Sequence, residues 1–251
     1  MTDFDIQLDS FVKMIQEDHS IVFFGGAGVS TDAGIPDFRS TEGVYAKAKG
    51  KYPFSPEQMV SHQMLMQHPK LHYQFMKEFM DFREYDPTFA HRFLKELEDS
   101  GKDVSIVTQN CDSLHQKAGS SRVYELHGNL KDLYCMTCKT AYTRDEIKED
   151  EDGIPRCPLD GGIVRSKIVL FGEMLDEMTV EGAISAIARA DLLIVAGTSL
   201  SVYPAAGFLR YFRGKDFVVI NKTPVPQIHQ GLFFQAGISE VFQEVAKRLN
   251  S

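Results

Sequence analysis

Short apolar runs alternate with amphipathic stretches along most of this chain, and that alternation restricts the possible folds more than any other feature. Ser20–Gly25 (SIVFFG) is apolar and ends in glycine. Similar runs recur at Val104–Val107, Val123–Leu126, Ile168–Phe171, Leu192–Val195 and Phe217–Ile220. Runs this short, rich in β-branched and aromatic residues, read as strands buried on both faces. Helical spacing marks the segments near 55–82, 87–99, 177–189 and 238–249; in the last, Val241, Phe242, Val245 and Leu249 share one face. Strands interleaved with helices predict an α/β fold, a doubly wound, Rossmann-like parallel sheet covered on both sides.

Residues 130–166 break the pattern. They hold three of the four cysteines, a charged run, Arg144–Gly153, and a Pro/Gly-rich stretch, Pro155–Gly162. The charged run reads as a solvated loop. A small inserted module of zinc-ribbon type is expected there, with residues 1–129 and 167–251 forming the larger domain. Residues 44–85 could join the smaller lobe. At 251 residues the chain is within range for one such unit.

Hydrophobic residues at 43% and charged residues at 25% fit an ordinary globular protein. The most apolar region, Ala183–Ala196, is broken by Arg189 and Asp191, short of the roughly 18 apolar residues of a membrane span. The N-terminus carries Asp3, Asp5 and Asp9 rather than a basic leader, so a cytoplasmic protein without membrane attachment is expected. A net charge of −8 argues against direct nucleic-acid binding and favours a basic partner, such as a lysine-rich segment.

Gly25-Gly26-Ala27-Gly28 follows the first strand. Glycines there let the backbone approach a phosphate. The dinucleotide fingerprint needs Gly-x-Gly-x-x-Gly, and its third glycine is missing, because Gly28 is followed by Val29-Ser30-Thr31. On that loop alone, nucleotide binding and a plain tight turn both remain open. The longer string Gly26-Ala27-Gly28-Val29-Ser30-Thr31-Asp32-Ala33-Gly34-Ile35-Pro36-Asp37-Phe38-Arg39 resembles the opening motif of the sirtuin family. Thr108-Gln109-Asn110-Cys111-Asp112-Ser113-Leu114-His115, Glu125-Leu126-His127-Gly128, Phe171-Gly172-Glu173, Gly197-Thr198-Ser199-Leu200 with Val202 and Pro204, and Ile220-Asn221 resemble its later motifs, in the same order. The resemblance covers about residues 10 to 250.

It implies an enzyme that removes acetyl or other neutral acyl groups from protein lysines, using NAD and releasing nicotinamide and an O-acyl-ADP-ribose. Mono-ADP-ribosyl transfer from the same site is the rival activity. His127 would be the general base, since an imidazole titrates near neutrality. His115, the nearest rival, would be its structural neighbour. Asn110 and Asp112 would hold the nicotinamide amide, with Gln109 and Cys111 lining the pocket. Gly26, Ala27, Gly28, Ser30 and Thr31 would cradle the diphosphate, and Ala33, Ile35 and Pro36 would continue that wall. Asp37, Phe38 and Arg39 match a loop that covers the cofactor; Asp37 and Arg39 could equally pair to fix a turn. Gly197, Thr198, Ser199 and Val202 would add contacts at a second strand end. Asn221, Lys222 and Ile238 would flank the adenosine, although an Ile that starts a helix is usually core. Val169, Leu170, Phe171 and Gly172 would form an edge strand that pairs with the acyl-lysine peptide.

Three departures from the family pattern stand out. A structural zinc site in the family uses two Cys-x-x-Cys pairs. Cys135 and Cys138 form the first, but Cys157 is followed by Asp160 where the fourth cysteine belongs. Carboxylate oxygen can ligate zinc, so either a Cys₃Asp site or a module that folds without metal is expected. Cys111 replaces an Ile and should behave as a small buried hydrophobe. The Tyr-x-x-Arg pair of those family members that prefer succinyl or malonyl lysine is replaced, counting back from Pro87, by Phe75 and Glu78. Glutamate would repel a carboxylate, which predicts acetyl over succinyl; alternatively the two residues are the buried and solvated faces of a helix.

Overall fold

The computed structural model describes residues 2–228 and 230–250. The chain opens with helix α1 (Asp3–Glu17), capped by Thr2 with Asp5 completing a capping box. Strand β1 (Ser20–Gly25) follows. Four short helices come next: α2 (Val44–Ala48), α3 (Pro56–Met59), α4 (His62–Gln67) and α5 (Pro69–Phe79). Then come α6 (Phe89–Asp99), β2 (Asp103–Thr108), α7 (Leu114–Lys117) and β3 (Val123–Glu125). The cysteine-bearing stretch holds β4 (Leu133–Cys135), β5 (Ala141–Tyr142), β6 (Lys148–Glu149), β7 (Pro155–Arg156) and β8 (Val164–Ser166). The chain ends with α8 (Glu177–Arg189), β9 (Leu192–Ala196), β10 (Asp216–Ile220), β11 (Leu232–Phe234) and α9 (Ile238–Leu249).

The main sheet runs β11-β10-β9-β1-β2-β3, and every pairing in it is parallel. Side chains alternate between its faces. Ile21, Phe23, Ile106, Ile194 and Val218 pack on one side with Phe11 of α1, Phe93 of α6 and Phe242 of α9. Val22, Phe24, Val107, Val195 and Val219 pack on the other with Ala183 and Ile187 of α8 and with Phe208 of the 3₁₀ helix Ala205–Tyr211. This is the predicted doubly wound arrangement. Strand order departs in opposite directions from β1 and β9, so the loops after these two strands diverge and open a crevice at their carboxyl ends.

The structure corrects the sequence reading at several elements. The segment read as one helix over 55–82 is three helices. Pro69 starts α5, because a proline lacks the N–H that would continue α4. The run Ile168–Phe171 is extended but is not a strand of the main sheet; its one ladder contact is a parallel bridge from Phe171 to Ser61. Helix α1 and strand β11 were not anticipated, although Leu8, Phe11, Val12 and Ile15 lie at helical spacing and are buried. Residues 130–166, in line with the small inserted module expected there, form two small antiparallel sheets, β5-β4-β8 and β6-β7.

Helices α2–α5 have their own small core of Val44, Ala48, Met59, Met64 and Phe75. They also touch the cysteine-bearing stretch: Tyr73 donates to the Val164 carbonyl at 2.8 Å, and Lys70 pairs with Asp152 at 2.7 Å. Phe75 is 1% exposed and packs on Tyr52, with ring centroids 5.4 Å apart. Glu78 accepts from Lys51 at 2.7 Å and from Tyr52 at 2.9 Å. The two are thus the buried and paired faces of α5. Glu78 carries its own cation, so the repulsion argument for acetyl over succinyl loses its basis.

Candidate active site

Two strand ends meet at the crevice. Gly26 and Gly28 after β1 lie against Gly197 and Thr198 after β9. A Cβ on Gly28 would stand 2.7 Å from the Gly197 Cα. Gly197 itself has φ +60°, a conformation other residues adopt only with strain. Close approach leaves the N–H groups of Ala27, Thr198 and Ser199 without protein partners among the described residues, which suits an anion.

Ser30, at the end of the glycine loop, is 1% exposed and joins this loop to the Asn110–Asp112 segment. Its hydroxyl donates to Asp112 Oδ2 at 2.7 Å and accepts from Asn110 Nδ2 at 3.1 Å. Asn110 Nδ2 also reaches Asp112 Oδ2 at 3.2 Å, and Asp112 Oδ1 accepts the Leu114 N–H at 2.9 Å. Burial raises the Asp112 carboxyl above its ordinary value, and these three donors only partly offset it. Gln109 Nε2 donates to Thr198 Oγ1 at 3.0 Å and so ties the β2 end to the β9 end.

His127 follows β3. Its Nδ1 lies 2.9 Å from the Gln109 carbonyl oxygen, which can only accept. Nδ1 therefore carries the proton, and Nε2, which makes no hydrogen bond among the described residues, is an acceptor. Burial lowers its pKa from the ordinary value, and the Gln109 carbonyl, which favours the protonated ring, only partly opposes it. The neutral imidazole is thus favoured at neutral pH. Gly128, with φ +66°, lets the chain pass beneath Lys167: a Cβ there would stand 1.8 Å from the Lys167 carbonyl. The Val169 N–H then donates to the His127 carbonyl at 2.8 Å, which brings the Val169–Gly172 segment beside the imidazole-bearing residue.

His115 is 1% exposed, packs on His91 at 4.4 Å between ring centroids, and is driven well below its ordinary pKa by burial. It is a core residue, as its position beside the motif implied. Cys111 packs near Leu65, Ile168 and Leu170, and burial pushes its thiol up to about 12, so it is an inert hydrophobe. Asp37 accepts the backbone N–H groups of Arg39 and Ser40, at 3.0 and 2.8 Å. The Asp37 carboxylate thus fixes the turn through backbone N–H groups, whereas the Arg39 guanidinium reaches Ser201 Oγ at 2.9 Å. Phe38 packs edge-on against Tyr45. Ile35 is buried, Pro36 and Ala33 are half-buried, and Thr31 donates to the Gly28 carbonyl at 3.0 Å. Val202 is half-buried and Lys222 exposed, close to Gly237. Asn221 directly follows β10, with Nδ2 bonded to the Thr223 carbonyl at 2.9 Å. The Ile238 side chain belongs to the core, so only its backbone at the start of α9 can face a ligand.

Cys135, Cys138, Cys157 and Asp160 converge, their ligand atoms all within 4.8 Å of one another. Cys138 and Cys157 sulfurs are 3.8 Å apart, and Cys135 Sγ is 3.4 Å from Asp160 Oδ1. Tetrahedral zinc, with bonds of about 2.3 Å to sulfur and about 2.0 Å to oxygen, requires edges near 3.8 and 3.5 Å. The donor set therefore fits the metal. The Gly162 N–H bonds Asp160 Oδ1 at 2.8 Å and orients the carboxylate. Sequence reasoning missed two further residues, Arg165 and His62, whose side chains meet Glu173; neither stands in a recognisable spacing.

The Sir2 family model matches residues 26–204. A chain described as an NAD-dependent protein deacetylase from Clostridium acetobutylicum is 46% identical over 217 residues, 86% of this chain and 88% of that one. One of the same description from Fusobacterium nucleatum is 39% identical and covers 98% of this chain and 93% of its own length. Among solved structures, a Sir2 with a p53 peptide and NAD+ aligns with a TM-score of 0.85 at 33% identity, over 96% of this chain and 98% of that one. A Sir2 bound to acetylated peptide aligns equally well.

Proposed function

The chain belongs to the Sir2 family, and we propose that it removes acetyl groups from protein lysines at the expense of NAD, with His127 as general base. The observation that carries the catalytic assignment is the Gln109 carbonyl on His127 Nδ1, which leaves Nε2 unprotonated and free. NAD, when bound, would supply a ribose carbon that parts from nicotinamide and takes up the acyl oxygen; one water would then replace the lysine nitrogen on the acyl carbon, so that O-acetyl-ADP-ribose and free lysine would be the products.

The residues divide the remaining work. The free N–H groups of Ala27, Thr198 and Ser199 would hold the diphosphate. Asn110 and Asp112, locked by Ser30, would orient the nicotinamide amide. His127 Nε2 would take a proton from a ribose hydroxyl. Phe38 and Arg39 would cover the sugar and exclude water. Val169–Gly172 would present backbone groups to the peptide. Cys135, Cys138, Cys157 and Asp160 would hold a zinc ion whose role is to order the small sheets, remote from the chemistry.

We assign residues 1–129 and 167–251 to the NAD-binding unit and 130–166 to the metal module, with helices of the 44–85 stretch packed against that module. No helix among the described residues is long and apolar enough to cross a membrane. A cytoplasmic location belongs to the same reading, and a net charge of −8 speaks against a direct nucleic-acid partner. Incubation with an acetyl-lysine peptide and NAD tests the activity: free nicotinamide and deacetylated peptide should appear in equal amounts. Nicotinamide release with ADP-ribosylated protein and intact acetyl-lysine would overturn it.

A further inference from the structure

Glu173 follows the Val169–Gly172 segment directly, and its carboxylate gathers donors from three parts of the molecule. Oε2 accepts from the Leu170 N–H at 2.9 Å and from Arg165 Nη2 at 3.0 Å. Oε1 accepts from Arg165 Nη1 and lies 2.8 Å from His62 Nδ1. Arg165 stands on β8 and is 5% exposed. Beyond the fork to Glu173, its Nη2 donates to the Ile168 carbonyl at 2.6 Å and its Nε to the Ser166 carbonyl at 3.2 Å. The pair therefore grips the substrate segment on both sides of Val169. Burial would raise the Glu173 carboxyl, but Arg165, Leu170 and His62 outweigh it and hold it down at about 2, so the fork is ionised throughout the working range.

The same network decides which backbone groups a peptide can use. Phe171 is already paired inward, its N–H to the Val60 carbonyl at 3.1 Å and its carbonyl to the His62 N–H at 2.9 Å. Leu170 gives its N–H to Glu173 and its carbonyl to the Glu173 N–H. The Val169 carbonyl and both backbone groups of Gly172 make no hydrogen bond among the described residues. Arg165, Glu173 and His62 line one cleft together with Val169 and Gly172. A peptide strand that pairs here meets groups whose spacing is set by a buried fork rather than by a neighbouring sheet strand.

We propose that Arg165 and Glu173 are positioning residues that set affinity for the substrate peptide backbone without taking part in acyl transfer, a role that rests on the deacetylase reading. A buried guanidinium that loses its partner cannot be resolvated cheaply, so the fork should rearrange when either side chain changes. Glu173→Gln keeps the shape but sets an amide against donors. Arg165→Lys keeps the charge but loses the planar fork, and it carries the test if Glu173→Gln does not fold.

The measurements are steady-state kinetics with an acetyl-lysine peptide and NAD, and direct binding of a fluorescent acetylated peptide. Expected are a rise of about tenfold in peptide KM and a matching loss of peptide affinity, with kcat and the KM for NAD within about twofold of wild type. Unchanged peptide KM in both variants refutes the proposal. So does a parallel fall in kcat, NAD affinity and melting temperature, which would mark a general structural role. A wild-type protein that deacetylates nothing refutes the deacetylase reading itself, so the two failures are distinguishable.

Discussion

His127 Nδ1 stands 2.9 Å from the carbonyl oxygen of Gln109, and this single bond decides which imidazole nitrogen is available for chemistry. His127→Ala should lower deacetylation by the ~10²–10⁴ that loss of a general base costs. NAD affinity should persist, because in its proposed role the ring takes a proton from a hydroxyl and does not hold phosphate. In wild type, burial lowers the imidazole pKa, so the base form survives below the ordinary midpoint of about 6.5 and activity should fall only at a more acidic pH. A pH–rate profile with its acid limb above that midpoint, or near-normal activity of the alanine variant, would refute the assignment.

Ser30 is the joint between the glycine loop and the Asn110–Asp112 segment. Ser30→Ala leaves Asn110 and Asp112 short of one partner each in a buried setting, at a cost of about 1–3 kcal/mol. The expected result is weaker NAD use, roughly tenfold in KM, with a fall of several degrees in melting temperature. An NAD titration at saturating peptide reads it directly, and an unchanged KM would remove Ser30 from the cofactor site.

Metal analysis of protein purified without chelators should find about one zinc per chain, held by three thiolates and one carboxylate. Asp160→Cys should tighten binding and raise the melting temperature; Asp160→Ala should lose metal. Val164, beside Arg165, pairs with Cys135 across β4 and β8, so removal of the metal should weaken peptide binding more than NAD binding. A folded, active protein with no zinc would refute any structural role for the ion.

Asp18 closes α1 beside Asp216 and Asp191. Burial first, then the nearby charges of Asp216 and Asp191, raise the Asp18 carboxyl to about 6. The folded state thus binds this proton more tightly than the unfolded chain, so the stability it contributes is fully present below about pH 4 and is lost as pH rises through about 6. Asp18→Asn mimics the protonated form. It should raise the melting temperature by a few degrees near pH 8, with an effect close to zero near pH 4. Thermal melts across that range decide the matter; a variant that melts below wild type at pH 8 contradicts it.

Phe75 and Glu78 separate packing from selectivity. Phe75→Ala empties a core site and should cost about 3–5 kcal/mol. Glu78→Ala breaks an exposed pairing with Lys51 and should change stability by less than about 1 kcal/mol. Because Glu78 is engaged with Lys51 and Tyr52, its removal should leave the ratio of acetyl to succinyl turnover unchanged. Parallel assays on the two acylated forms of one peptide give that ratio, and a gain in succinyl turnover would restore Glu78 to the acyl channel.

Local pattern alone established a good deal. Apolar runs such as Ile21–Phe24 and Leu192–Val195 are strands because they are short and continuously apolar, and α9 runs over 238–249 as its spacing predicts. The motif residues around Ser30, Asn110 and His127 were legible because they lie in unbroken strings. Other features were not carried by any local string. Phe171 reads as strand, yet its partners are Val60 and His62, more than a hundred residues earlier, and its register is set by them. Arg165 looks like an ordinary surface cation until β8 buries it against Glu173. Glu78 looks like a free charge until Lys51 meets it. The tautomer of His127 depends on a carbonyl eighteen residues away in the chain. Periodicity and motif spacing record which face a residue turns and what chemistry it carries. Which distant groups it meets is decided by how the layers pack, and there the partner, burial and protonation of each side chain are determined together.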